Sequence, residues 1–240
     1  MNTLVVEELI DRVVVTLNRE KQRNAIDAEM IGELHEVCAL VEQDPKIVIL
    51  TGQGEHFAGG ADINQLRART RDDALRGINR NLFDRIAALP LPTIAAVRGY
   101  ALGGGAELSY ACDIRIASPT AVFGNPEPGL GIMAAAGASY RLPTLVGVSV
   151  AKQVLLGGRT LDTEVALRSG LVLDVVDEPL AAAHSLADRI AKQAPLALKL
   201  TKKILDAPGS HPWADDIAQA VLFETEDKQR RMTAFLEKKK

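Results

Sequence analysis

The chain has 240 residues, with 28 Lys and Arg against 31 Asp and Glu, a formal charge of −3. That near balance excludes the basic excess of a dedicated nucleic-acid binder, and a hydrophobic share of 47 % excludes a disordered composition. A chain of this size buries enough surface on folding to need neither a disulfide framework nor a structural metal.

In chain order, residues 13–17 form a β-branched run that ends at polar Asn18-Arg19-Glu20-Lys21. Residues 27–43 are predicted helical, because Ile31, Leu34, Cys38 and Val41 share one face and Pro45 stops the pattern. Residues 46–51 read as a buried strand bounded by Gly52 and Gly54. A glycine-rich turn at residues 58–62 follows, then a polar, Arg-rich stretch from 64 to 80 that is predicted to be one exposed helix. Pro90 and Pro92 introduce a strand at 93–97; glycines at 99 and 103–105 precede a helix at 106–111. Two short strands are expected at 113–117 and 121–123, and residues 124–137 read as loop. Helices are expected at 148–157 and 162–169, the second closed by Gly170 in the C-cap position. Residues 171–176 are the last expected strand. Beyond Pro179 the pattern is helical, broken at Ala207-Pro208-Gly209-Ser210.

Strands alternating with helices indicate an α/β protein. A composition shift near residue 180 divides the chain into an expected core, 1–180, and a helical region, 181–240. Cys38 and Cys112 lie in apolar segments and read as buried free thiols, which suits a reducing compartment and a cytoplasmic protein. The opening residues carry Glu7 and Glu8 and no basic region ahead of an apolar stretch, so no secretory leader is expected. No uncharged apolar run approaches the ~18 residues of a membrane span.

Several chemistries lack support. Gly129-Leu130-Gly131-Ile132-Met133-Ala134 fits a loose dinucleotide pattern but follows no clear strand, and no acid stands about twenty residues on. Ser139 and Ser149 lack the flanking glycines of a nucleophile elbow. His35, His56, His184 and His211 are scattered and form no metal-ligand pattern.

Two glycine-rich turns each follow a β-type run: Phe57-Ala58-Gly59-Gly60-Ala61-Asp62-Ile63 and Gly99-Tyr100-Ala101-Leu102-Gly103-Gly104-Gly105-Ala106-Glu107-Leu108. Glycine lets a backbone approach a ligand closely, and a helix start carries free amides. Two such turns brought together would aim two N–H groups at one developing oxyanion. On glycine content alone, simple helix–strand packing explains them as well. The carboxylates add a second signal. Glu107 lies in the first turn of the helix after Gly104, and Glu127 stands alone in an otherwise nearly uncharged loop of Pro, Gly and Leu. Two carboxyls beside an oxyanion hole suit proton transfer next to a carbonyl, one held protonated by apolar surroundings and its neighbour's charge, the other ionised as base.

These segments resemble the enoyl-CoA hydratase/isomerase family, also called the crotonase family. The resemblance rests on residues 57–63, 92–113 and 123–131. Arg141-Leu142, Gly157-Gly158-Arg159, residues 166–172 and the tail Ala234-Phe235-Leu236-Glu237-Lys238 also match, so it spans essentially the whole chain. It implies a crotonase-like spiral of ββα repeats with a C-terminal helical region used in trimer contacts, as a homotrimer or dimer of trimers. It implies acyl-CoA thioester substrates, with no metal and no cofactor beyond the coenzyme A of the substrate; the charge of −3 and the lack of a long apolar run argue against a nucleic-acid or membrane partner. By resemblance, the amides of Ala61 and Gly104 hold the thioester oxygen, Glu107 activates water for attack on C3, and Glu127 delivers a proton to C2. Arg23, Ala25, Ala61, Asp62 and Ile63 match positions along the coenzyme A path, and Lys238 and Phe235 match tail positions that reach a neighbouring subunit's coenzyme A. The expected activity is hydration of a 2-enoyl-CoA to a 3-hydroxyacyl-CoA in fatty-acid or related degradation. The alternatives are a double-bond isomerase on the same scaffold, a thioesterase or decarboxylase variant, and a non-catalytic or RNA-binding relative. The chain departs from the family pattern at Ala135, where a glycine shapes the water and glutamate site. It departs also at Glu20 in place of proline, at Asn64 in place of lysine, and in the shortness of the polar segment after Asn64.

Overall fold

The computed structural model describes residues 1–207, 209 and 212–237. The chain forms two compact units, Met1–Ala187 and Asp188–Lys240.

In the first unit, β1 (Leu4–Glu8) runs antiparallel to β2 (Arg12–Leu17). A capped helix, α1 (Ala28–Gln43), carries the chain to β3 (Ile47–Gly52), which pairs in parallel with β2. Asp27 starts α1 by accepting the Met30 N–H at 2.8 Å. β4 (Thr93–Val97), β6 (Ile114–Ala117) and β8 (Asp174–Val175) extend the sheet in parallel, giving the order β1-β2-β3-β4-β6-β8. β3 and β4 read as continuous apolar runs because both faces of a parallel sheet are covered; every residue of β4 is buried.

A second, smaller parallel pair joins β5 (Tyr100–Leu102) to β7 (Val122–Gly124). Single bridges prolong it, Ala58 to Ala101 on one side and Phe123 to Leu161 on the other. Each winding of the chain therefore gives one strand to the large sheet and one short segment to the small one, then a helix. Those helices are α2 (Ile63–Ala68), α3 (Arg71–Arg76) and α4 (Ile78–Ala87) after the first winding, α5 (Gly104–Ala111) after the second, and α6 (Ala138–Leu155) after the third. The result is a spiral of ββα windings. α7 (Thr163–Arg168) and the start of α8 (Pro179–Ala191) complete the unit. Phe57, Phe83 and Phe123 are fully buried in its core.

The second unit holds the end of α8 with α9 (Pro195–Leu205), α10 (Pro212–Phe223) and α11 (Glu226–Glu237). Arg231 of α11 donates to the Lys192 carbonyl at 2.7 Å. Ile217, Val221, Phe223, Met232, Phe235 and Leu236 of these helices are exposed. Among the described residues no helix is long and apolar enough to cross a membrane, and no group of His, Cys, Asp and Glu has the arrangement of a metal site.

Several elements differ from the sequence expectation, among them β5, which lies within an expected turn. β1 adds an edge strand before residue 13. The single helix expected over 64–80 is three helices, because Asp62 caps α2, a Thr70–Asp73 capping box restarts the chain at α3, and Gly77 at φ 61° ends that helix. α6 begins at Ala138 rather than 148; Pro143 and Gly147, at φ 78°, lie inside it and hide its first half. The last strand shrinks to two residues, since the Leu171 N–H closes α7 on the Ala166 carbonyl at 2.9 Å.

Candidate active site

The two glycine-rich turns meet through the backbone. The Ala58 N–H donates to the Tyr100 carbonyl at 2.9 Å, and the Leu102 N–H donates to the Ala58 carbonyl at 3.0 Å. A Cβ at Gly105 would fall 2.3 Å from the Ala58 oxygen, so only glycine allows this approach. The contact carries the start of α5 up to Ala61: a Cβ at Gly104 would lie 3.5 Å from the Ala61 nitrogen. Gly104 opens α5, where amides have no intrahelical acceptor. Among the described residues neither the Gly104 nor the Ala61 N–H is committed to a backbone acceptor. Both N–H groups are thus uncommitted donors, carried by residues that line the same cavity.

Glu107 stands on the first turn of α5 and is 3 % exposed. Its Oε1 accepts the N–H groups of Ala136 at 2.7 Å and Ala138 at 3.1 Å. Burial pushes its carboxyl up to about 7, and the neighbouring Glu127 charge adds to the rise, against the two amides and the positive charge of Arg141. Glu127 begins a short 3-10 turn, Glu127–Leu130, and is also buried. Burial raises its carboxyl as well, opposed by backbone hydrogen bonding and by Asn125. Asn125 Nδ2 donates to Glu127 Oε1 at 3.4 Å, while Glu127 Oε2 is buried with no hydrogen-bond partner among the described residues. An orphaned polar atom in a core costs about 1–3 kcal/mol, and such atoms concentrate where a ligand completes the bonding.

Both carboxyls, Ala61 and Gly104 line one cavity of ≈ 500 Å³. A groove of ≈ 260 Å³ shares Ala61 with it and is lined by Arg23, Ala25, Asp62 and Ile63 together with Tyr100 and Leu102. Of the sequence-expected coenzyme A positions, Arg23, Ala25, Ala61, Asp62 and Ile63 line this one groove, which shares Ala61 with the carboxyl cavity. Lys238 lies outside the described residues. Phe235, on α11, is exposed.

A polar lattice shapes the groove. Arg19 pairs with Asp27 and Asp62, each at 3.2 Å, and donates to the Ala25 carbonyl at 2.6 Å. Arg23 and Asn24 hold left-handed backbone, φ 51° and 55°. The Asn24 side chain secures that turn: it accepts from the Arg19 N–H at 3.0 Å and donates to the Gln53 and His56 carbonyls at 3.0 and 2.7 Å. His56 stacks on Tyr100, and the Arg23 guanidinium sits 5.9 Å above the Tyr100 ring.

Sequence reasoning missed three groups. Asn79 and Arg69 line the carboxyl cavity and are joined at 2.8 Å; they sat in a stretch read as a solvated face. Arg141 pairs with Asp84 at 2.6 Å and reaches the Ala136 carbonyl at 3.5 Å, next to the amide that holds Glu107. Tyr100 was read as part of a turn and lines the groove. For Asn79, the available signal was its place on the buried face of α4, between Leu82 and the cap at Gly77.

Residues 12–240 match the family model described as Enoyl-CoA hydratase/isomerase. The chain is 40 % identical over 256 residues to the short-chain-enoyl-CoA hydratase of Clostridium acetobutylicum, covering 100 % of this chain and 97 % of that protein. It is 37 % identical over 253 residues to the crotonyl-CoA hydratase of Syntrophomonas wolfei subsp. wolfei, covering 99 % and 96 %. Among solved structures, the enoyl-CoA hydratase from Bacillus anthracis superimposes with a TM-score of 0.93 at 32 % identity, covering 98 % of this chain and 96 % of that one.

Proposed function

The chain belongs to the enoyl-CoA hydratase/isomerase family, and from that premise we propose that it is a hydro-lyase that adds water across the 2,3 double bond of a 2-enoyl-CoA. The observation that carries this reading is the pair of buried carboxyls, Glu107 and Glu127, in one cavity with the amides of Ala61 and Gly104.

The thioester oxygen accepts from Ala61 and Gly104, which stabilises the enolate-like charge that develops as C3 is attacked. Glu107 is the base. Two amides on its Oε1 favour the ionised form, and its other oxygen is left for water. Glu127 is the acid: among the described residues no donor stabilises a charge on its buried Oε2, and burial favours the protonated carboxyl. The two buried carboxyls titrate as a coupled pair, and the productive form carries one proton on Glu127 with Glu107 ionised. As the C3–O bond forms, Glu107 takes a proton from water and Glu127 gives one to C2. The balance is one water gained, with no metal or redox partner required. Coenzyme A, part of the substrate, runs along the groove of Arg23, Ala25, Asp62 and Ile63. Lys238 and Phe235 are assigned to a neighbouring subunit's coenzyme A in a homotrimer or dimer of trimers, which the exposed apolar side chains of α10 and α11 support. The assignment of residues 1–180 to acyl-CoA binding and catalysis, and of 181–240 to oligomer contacts and closure of the coenzyme A site, belongs to the same reading. A cytoplasmic setting is supported by the two buried free thiols.

Incubation with crotonyl-CoA and, separately, a 3-enoyl-CoA tests the assignment. A hydratase consumes the first with a gain of one water. Conversion of the 3-enoyl-CoA alone, without mass change, would reassign the chain as an isomerase, for which one carboxylate suffices.

A further inference from the structure

The cavity that holds the two carboxyls is not lined like a channel for a plain hydrocarbon chain. Leu66, Ile78, Ile132 and Met133 give it apolar surface, but Arg69, Thr70, Arg71, Asn79 and Arg80 line it too. Asn79 is buried, and its Oδ1 accepts from Arg69 Nη1 at 2.8 Å. That bond fixes the amide's sense, since the reverse orientation would set two donors face to face. The NH2 is left with no acceptor among the described residues, 3.9 Å from where a Gly104 Cβ would stand. Arg69 is half-buried, with this neutral amide as its hydrogen-bond partner and no ion pair among the described residues. Asp73 lines the same cavity and feels the Arg69 charge, but its carboxylate is taken up by the Thr70 N–H at 2.9 Å, the Thr70 hydroxyl at 2.8 Å and Arg76 at 3.6 Å, and Asp72 pairs with Arg71 at 3.2 Å.

A methyl-ended acyl chain packed here would strip water from the Arg69 guanidinium and leave the Asn79 amide unpaired, both unfavourable. A carboxylate would satisfy both at once. We infer that the acyl group of the substrate carries a carboxylate at the end remote from the thioester, and that Arg69 and Asn79 receive it. This rests on the hydratase reading above. It makes Arg69 and Asn79 the specificity determinants of the acyl end, a short polar walk from the paired amides.

The test compares kcat/KM for two six-carbon 2-enoyl-CoAs, one ending in methyl and one in carboxylate, with crotonyl-CoA alongside. The wild type should favour the carboxylate by about tenfold or more, the scale of one charge-assisted hydrogen bond. In Arg69→Gln that ratio should collapse toward one, chiefly through KM, and Arg69→Lys should restore part of it. Each ratio is read within one variant, so a general loss of folded protein cancels. A wild type that hydrates crotonyl-CoA but prefers the methyl-ended chain, or a ratio untouched in Arg69→Gln, overturns the inference and leaves the hydratase reading standing. Failure on all three substrates overturns the hydratase reading, and the inference with it.

Discussion

Glu107 Oε1 lies 2.7 Å from the amide nitrogen of Ala136, in the loop whose carbonyl the Arg141 guanidinium reaches. The Glu107 carboxyl is therefore oriented by backbone from a distant part of the chain rather than by its own helix. Burial still dominates its titration and holds its carboxyl at about 7.

A pH profile follows from that value. Activity needs Glu107 ionised, so kcat/KM for hydration should rise with pH through an acid limb near 7. Removing Arg141, whose charge favours the ionised carboxyl, should move that limb upward. Arg141→Gln is the variant, measured from pH 5.5 to 9; an acid limb that stays in place would separate Arg141 from the control of Glu107.

The same shift bears on stability. The folded-state carboxyl is raised from 4.5 to about 7, so the folded chain binds more protons than the unfolded chain between those values. Stability from this group is present below pH 4.5 and declines as pH rises toward 7. The difference is at most roughly 3 kcal/mol. Glu107→Gln should therefore raise the Tm at pH 8 and change it less at pH 5, while hydration falls. A Tm that drops at pH 8 would mean that the ionised carboxylate is a structural element.

The glycines of the second turn should separate packing from chemistry. Gly105→Ala forces a Cβ to 2.3 Å from the Ala58 oxygen and should destabilise the fold by about 1–3 kcal/mol or more. Gly104→Ala places its Cβ 3.5 Å from the Ala61 nitrogen, an ordinary contact, and should fold. It intrudes on the space the thioester oxygen requires, so its loss should appear in kcat rather than in Tm. Thermal melts and steady-state kinetics on both variants check the contrast.

Asn24 closes the left-handed turn at the head of the groove with three hydrogen bonds and is fully buried. Asn24→Ala leaves two carbonyls and an N–H without their partner. It should cost about 1–3 kcal/mol and raise KM for acyl-CoA. Urea melts read the first effect and substrate titration the second.

Much of this site is legible in the chain because its signals are local. The glycine runs, the helix that follows them and the isolated acid at Glu127 each declare themselves within a few residues, though the helix opens at Gly104 rather than at the expected residue 106. The spiral is less legible. Its windings carry insertions of unequal length, so no fixed period shows, and β5 is hidden inside what reads as a turn because its partners, Ala58 and β7, are remote in sequence. Arg69 and Asn79 were hidden for a related reason: polar residues on short helices resemble a solvated face until α4 turns Asn79 inward. Lys46, Glu8 and the many other exposed ion pairs needed no functional explanation.

The central claim is that both carboxyls act in one hydration. It is tested most directly by following the loss of enoyl-thioester absorbance with crotonyl-CoA, and the mass of the product, in wild type, Glu107→Gln and Glu127→Gln. The account predicts 3-hydroxybutyryl-CoA from the wild type and a loss of about a hundredfold or more in each variant. Hydration at the wild-type rate by either variant would contradict it.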